Sequence, residues 1–98
     1  MTIPTPKLRR MRRAVDGKPE EVVYLPGVWL TVDGLFTVMR RDLTDPRSAW
    51  KLSGLGASGE QLDRHGLNGD QVRFRTRSDA LQALALMLHQ EARRPAAF

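Results

Sequence analysis

Two side chains in this sequence, His65 and His89, can accept a proton near neutral pH and are the first candidates for chemistry. His65 lies in a glycine-rich segment. His89 is followed two positions later by Glu91, and residues two apart on a helix point to different sides. Neither histidine has a neighbour at metal-ligand spacing. The chain also contains no cysteine, which excludes thiolate catalysis and cysteine-bound metals.

The segment Gly54–Gly59, GLGASG, has the glycine content of a phosphate-binding loop. It lacks the Lys-Ser or Lys-Thr ending whose side chains bind the phosphates and magnesium, so a flexible loop explains it better. We therefore predict no catalytic residue, no metal site and no cofactor. The sequence indicates a protein that is not an enzyme.

The basic residues are more informative, because they are concentrated at one end of the chain. Residues 1–18 contain six basic side chains and one acidic side chain, a net charge of +5, whereas residues 19–98 contain ten of each. Such a local positive field attracts a polyanion such as nucleic acid. The alternative is a solvated tail that only keeps the protein soluble.

A flexible arm is the expected form of this basic segment. Leu8, Met11 and Val15 have the spacing of a short amphipathic helix, yet nine residues are too few for a stable isolated helix in water. We therefore expect the arm to become ordered only on contact with a partner. The sequence predicts a basic flexible arm over 1–20, a single domain over 21–94 and a C-terminal tail over 95–98.

The dipeptide Asp33-Gly34 predicts a β-hairpin between Val28–Val32 and Leu35–Arg40. A two-residue turn of this type needs positive φ at both positions, and it pairs Trp29 with Val38 and Leu30 with Thr37. Both faces of the hairpin are largely apolar, so the sequence leaves open which one is the core. One face contains Val28, Leu30, Val32, Leu35, Thr37 and Met39, and the other contains Trp29, Thr31, Phe36, Val38 and Arg40.

The rest of the chain predicts two further strands and one long helix. Ala49–Ser53 and Val72–Thr76 are typical of strands, and a glycine-rich loop with a short helical turn from Ser58 to His65 separates them. Thr76 with Asp79 approximates a capping box, which begins the helix. The core stripe of the helix consists of Ala80, Leu81, Leu84, Met87 and Leu88. The predicted fold class is α+β: an antiparallel three- to four-stranded sheet with one long C-terminal helix packed on one face.

Nucleic acid is the partner that the basic residues favour. Arg73 and Arg75, with Arg77 at the start of the helix, face away from Phe74, and the neighbouring strands add further cations to the same sheet face. The arm would bind phosphates without sequence preference or lie in the minor groove. The predicted nucleic-acid-binding residues are Lys7, Arg9, Arg10, Arg12, Arg13, Arg40, Lys51, Arg73 and Arg75. The alternative is that strand arginines only protect sheet edges.

The runs WLTVDGLFTVMRRD, SAWKLSG and VRFRTRSDALQAL resemble the small β-β-β-α domains with which phage and mobile-element integrases bind arm-type DNA sites. Similar patterns occur in short phage and actinobacterial proteins. The resemblance covers residues 28–86, and it departs from the pattern in the 17-residue glycine-rich segment between the last two strands. It implies a phage-like, non-enzymatic module whose sheet face binds DNA.

We therefore expect a small nucleic-acid-binding or regulatory protein that binds duplex DNA. One alternative is a protein-interaction module, such as a phage-type host modulator or adaptor, that docks an acidic protein through Trp29, Phe36 or Leu86. Ribosomal RNA is a further alternative partner, and a homodimer contact around Leu86 stays open. We expect a cytoplasmic protein without a membrane partner, because no apolar run reaches the roughly 18 residues that span a bilayer.

Overall fold

The computed structural model describes residues 3–94, which contain four strands and two helices. The strands are β1 (Leu8–Val15), β2 (Lys18–Thr31), β3 (Phe36–Arg40) and β4 (Trp50–Gly54), and the helices are α1 (Ala57–Arg64) and α2 (Arg77–Ala92). The strands form one antiparallel sheet in the order β1-β2-β3-β4. This architecture confirms the α+β class. The predicted tail, 95–98, lies outside the described residues.

The basic segment differs from the expected arm, because Leu8–Val15 is a strand and not a helix or a free chain. It pairs with β2 around Asp16-Gly17, where Gly17 has a φ of 75°. Asp-Gly is the same dipeptide that predicted the hairpin further along the chain. Strand β2 continues from this turn into the rest of the sheet and so passes through residue 20. We call residues 12–24, the outer part of this hairpin, the ribbon.

A bulge separates the ribbon from the body of the sheet. Arg10 pairs with Trp29 and Arg12 pairs with Tyr24, so two steps along β1 correspond to five along β2. The extra residues of β2 include Pro26, which has no N–H for the ladder, and Gly27, whose φ is 75°. The chain bends where these two residues interrupt the pairing.

The second hairpin has the predicted register, with Trp29 opposite Val38 and Leu30 opposite Thr37. Its turn is different from the prediction, because only Gly34 has a positive φ, at 79°. The Asp33 carboxylate accepts hydrogen bonds from the Thr31 hydroxyl at 2.6 Å and from the Leu35 N–H at 3.0 Å. These side-chain bonds hold the turn, and the hydrogen bond from the Thr31 hydroxyl is the main cause that lowers the pKa of Asp33.

The core lies on the face of the sheet that carries Phe36 and Val38, which answers the question that the alternation left open. Both helices pack on this face. Gly59 of α1 lies so close to β4 that a Cβ atom there would come within 2.8 Å of the Gly54 carbonyl oxygen. The core residues are Phe36, Val38, Trp50, Leu52, Leu62, Ala80, Leu84 and Met87.

The predicted strand Val72–Thr76 is wrong in extent, because only Phe74 pairs, through an isolated bridge to Trp50. The Trp50 N–H donates to the Phe74 carbonyl at 2.7 Å, and the Phe74 N–H donates back at 3.0 Å. The chain leaves the sheet two residues later, because Thr76 caps α2 by accepting a hydrogen bond from the Asp79 N–H at 3.1 Å. That cap is as the sequence predicts, and Phe74 packs against the core.

Candidate nucleic-acid interface

Strand β1 carries four arginines, and all four side chains are exposed. Arg10 and Arg12 line the same groove as Leu8, on the helix side of the sheet. Arg9 also borders this groove, while the alternation of side chains along a strand directs Arg9 and Arg13 mainly to the other side. Within residues 3–94, none of these four arginines forms an ion pair, whereas Arg41, Arg64 and Arg94 do. The strand therefore presents positive charge on both of its sides.

Two aromatic rings lie among these arginines. Arg10 pairs with Trp29 across the sheet, and the Arg10 guanidinium carbon lies 5.3 Å from the centroid of the Trp29 ring and 5.8 Å from that of Tyr24. The guanidinium carbon of Arg77, the first residue of α2, lies 4.1 Å from the Trp29 centroid. These distances are within the range of cation–π interactions.

Three of these residues, Arg10, Tyr24 and Trp29, line two adjacent grooves on the helix side of the sheet. The larger groove has a volume of about 530 Å³ and lies along β1, and the smaller one, of about 310 Å³, lies against the bulge. Arg10, Tyr24 and Trp29 line both, so Arg10 stands between them. Arginines with exposed aromatic rings can bind phosphates and stack on bases. We call Arg10, Arg12, Tyr24, Trp29 and Arg77 the basic aromatic cluster.

The tip of the ribbon has the opposite charge. Asp16 is in the turn, and Glu20 and Glu21 fall in a second irregularity of β2, where Ala14 pairs with Val22 and Val15 with Lys18. All three carboxylates are in exposed residues. Exposed Lys18 is the one cation beside these three carboxylates, so most of the positive charge of the hairpin lies in its middle, next to the body of the protein.

The other predicted binding residues are distributed over several parts of the fold. Arg40 is half-buried, with its guanidinium carbon 4.6 Å from the Trp50 ring centroid and its Nη1 donating to the Ser48 carbonyl at 3.2 Å. Lys51 follows Trp50 in β4 and so points to the side away from the helices. Arg73 and Arg75 are exposed beside the bridge at Phe74. Lys7 is exposed just before β1, and its carbonyl accepts a hydrogen bond from the Val32 N–H.

His65 contacts a carboxylate of α2. His65 Nε2 lies 3.1 Å from Glu91 Oε1, which also accepts a hydrogen bond from Arg64 Nη2 at 3.0 Å. Burial alone would raise the pKa of Glu91, but the hydrogen bonds from Arg64 and His65, together with the charges of Arg64 and Arg94, lower it. This contact joins α1 to α2. No group of acids and histidines within residues 3–94 could hold a metal ion.

The sequence prediction missed Tyr24 as part of the interface, and it grouped Arg77 with Arg73 and Arg75 and not with Trp29. A signal for Tyr24 was present, because a hairpin at Asp16-Gly17 brings the segment around Tyr24 beside the arginines. The contact of Arg77 with Trp29 depends on where α2 crosses the sheet, and no local pattern gives that position.

The chain matches no protein-family model, no curated protein and no solved structure. Neither helix in the described range is long and apolar enough to cross a membrane.

Proposed function

We propose that this is a small DNA-binding or regulatory protein that binds duplex DNA and catalyses no reaction. The observation that carries the proposal is the exposed strand β1, whose arginines at 9, 10, 12 and 13 form no ion pair within the described residues. Phosphate contacts from lysine and arginine supply most of the affinity in protein–DNA complexes. An exposed strand with four such side chains is suited to that role.

The shape of the hairpin supports a groove as the binding position. The major groove of B-DNA is about 12 Å wide and admits a two-stranded β-ribbon. β-Ribbons read DNA in either groove in known classes of DNA-binding protein. Because Asp16, Glu20 and Glu21 would be repelled by phosphates, we propose that the ribbon lies along the groove and does not enter it tip first. The arginines of β1 would then follow the phosphates of one strand.

Salt dependence tests this proposal directly. We would measure binding of the full-length protein to fluorescently labelled random duplex DNA by anisotropy over a series of salt concentrations. The logarithm of the affinity should fall with the logarithm of salt, with a slope of about −0.9 for each phosphate contacted. Four contacts from β1 would give a slope of about −4.

A matched pair of variants distinguishes the contribution of the ribbon to DNA binding from the effect of net charge. Arg12→Ala/Arg13→Ala and Arg47→Ala/Arg93→Ala remove the same charge, and all four positions are exposed. Only the first variant should weaken binding, with a slope smaller by about two. Equal loss in both variants would mean that binding follows net charge alone. No salt-dependent binding by the wild type would overturn the proposal, and preference for duplex RNA over DNA would redirect it to RNA.

A second candidate function, binding of an acidic protein, is supported by the side of the sheet opposite the helices. A groove of about 420 Å³ lies there, lined by Met11, Leu30, Leu35, Thr37 and Leu55 among others. Leu35 and Leu55 are exposed, and by alternation Arg9 lies on the same side. Of the docking residues expected from the sequence, Leu86 is exposed, Trp29 is half-buried and Phe36 is buried, so Phe36 is excluded from that role.

The variant Leu35→Ser/Leu55→Ser distinguishes the two functions. It should leave the affinity for duplex DNA unchanged, because neither leucine belongs to the basic aromatic cluster. Reduced DNA binding in this variant would place the DNA on the opposite side of the sheet.

A further inference from the structure

Two arginines from distant parts of the chain meet on one indole ring. Arg10 reaches Trp29 from the neighbouring strand, at 5.3 Å from the ring centroid, and Arg77 reaches it from the start of α2, at 4.1 Å. The two guanidinium carbons are therefore at most 9.4 Å apart. Two exposed cations within that distance repel each other weakly in water, and an anion bound between them would turn this repulsion into attraction.

No carboxylate within residues 3–94 neutralises either arginine. The ion pairs in that range join Arg41 to Asp70, and Arg64, His65 and Arg94 to Glu91. Arg77 is also the first residue of α2, where the positive end of the helix dipole disfavours a cation. A bound anion would relieve both unfavourable interactions.

The Trp29 ring restricts where the two guanidiniums can go. A planar guanidinium stacked on an aromatic ring keeps its N–H groups directed outward, and it binds phosphate through two parallel hydrogen bonds. Arg10 and Arg77 are exposed, and the groove of about 530 Å³ runs beside Arg10. A single phosphate group beside the Trp29 ring would contact both guanidiniums when they lie on the same side of that ring, an arrangement that the two centroid distances permit.

We propose that Arg10 and Arg77, held on Trp29, bind a single phosphate group. The proposal rests on the proposed function for the source of that phosphate, which would be one phosphodiester of the DNA backbone. This contact comes from α2 and not only from the ribbon, so it fixes the orientation of the body of the protein relative to the DNA. The same chemistry would accept the phosphate of a small molecule.

The first experiment uses inorganic phosphate and does not involve DNA. The ¹⁵N-labelled full-length protein is titrated with inorganic phosphate, and the side-chain Nε–Hε resonances of Arg10, Arg77 and Arg93 are followed by NMR. Arg93 is exposed near the other end of the same helix and serves as the control. Arg10 and Arg77 should shift together along one saturating curve. Absence of saturation, or shifts no larger than those of Arg93, would overturn the proposal.

The second experiment uses duplex DNA and the pair Arg77→Gln and Arg93→Gln. Arg77→Gln should weaken binding about tenfold, as expected for loss of a charged hydrogen bond, and should reduce the salt slope by about one. Arg93→Gln should leave both quantities unchanged. Equal behaviour of the two variants would overturn the assignment of the phosphate to DNA.

The two experiments separate failure of this site from failure of the proposed function. If Arg12→Ala/Arg13→Ala weakens DNA binding and Arg77→Gln does not, the ribbon binds DNA and the DNA phosphate at Arg77 is excluded. If the shifts of the Arg10 and Arg77 resonances saturate with phosphate but the wild type does not bind DNA, the phosphate site is confirmed and its ligand is a small phosphorylated molecule. In that case the DNA-binding function is wrong.

Discussion

Arg40 lies across the sheet from Gly27, so close that a Cβ atom on Gly27 would come within 2.9 Å of Arg40 Cδ. Arg40 is held there by the Trp50 ring and by the hydrogen bond to the Ser48 carbonyl. Gly27 is also at the bulge where the ribbon leaves the body of the sheet, and its φ is 75°. The position of the ribbon therefore depends on a residue without a side chain.

Gly27→Ala should lower the free energy of unfolding by more than Gly34→Ala. Both glycines have φ near 75–79°, so both variants carry the backbone penalty of about 1–2 kcal/mol for a left-handed residue. A Cβ atom on Gly34 meets nothing within 4 Å, whereas one on Gly27 displaces Arg40. Chemical denaturation of both variants measures the difference. Equal destabilisation would mean that Arg40 moves aside without cost.

Replacing the four arginines of β1 at 9, 10, 12 and 13 with alanine should change the melting temperature little. They lie outside the core and form no ion pair within the described residues, and exposed substitutions of this kind usually change stability by less than about 0.5 kcal/mol each. Only Arg10 also loses a cation–π contact with Trp29, worth about 0.5–1 kcal/mol. Differential scanning calorimetry measures the effect. A loss of many degrees would indicate that the contact of Arg10 with Trp29 supports the fold.

Arg77→Gln should leave the free energy of unfolding nearly unchanged. The variant loses a cation–π contact worth about 0.5–1 kcal/mol. It also removes a cation from the positive end of α2, which returns about 0.3–1 kcal/mol. Urea denaturation of Arg77→Gln, with Arg93→Gln as the control, measures the net change in the free energy of unfolding. A large loss of stability would show that Arg77 is mainly a structural residue.

The contact of Glu91 with Arg64 and His65 should stabilise the fold less in acid. The pKa of Glu91 is lowered from 4.5 in the folded protein, so the stabilisation it provides is present above that value and is lost as the pH falls through the lower, folded-state pKa. Glu91→Gln should remove this component, so its melting temperature should fall less steeply than that of the wild type below about pH 4.5. Thermal melts between neutral and acid pH measure the slopes. Parallel curves would contradict the role given to Glu91.

Local patterns predicted much of the fold because they depend on neighbours in the sequence. The register of Trp29 with Val38 follows from the Asp33-Gly34 turn, and the Thr76 cap follows from residues three apart. The same rule applied at Asp16-Gly17 would have predicted β1. There the helical spacing of Leu8, Met11 and Val15 suggested a different structure, and the strand prevailed because β2 pairs with it along most of its length, whereas a nine-residue helix would stand alone.

The sequence by itself determined the α+β class, the concentration of positive charge at residues 7–18, and the turns and caps that divide the chain. Only the tertiary structure decided which sheet face is the core, because both faces of the hairpin are apolar and the choice depends on where the helices pack. It also brought Arg77 to Trp29 and Arg10, from 48 and 67 positions away along the chain. This contact depends on the path of α2 across the sheet. The packing of the whole core sets that path, and no local sequence pattern does.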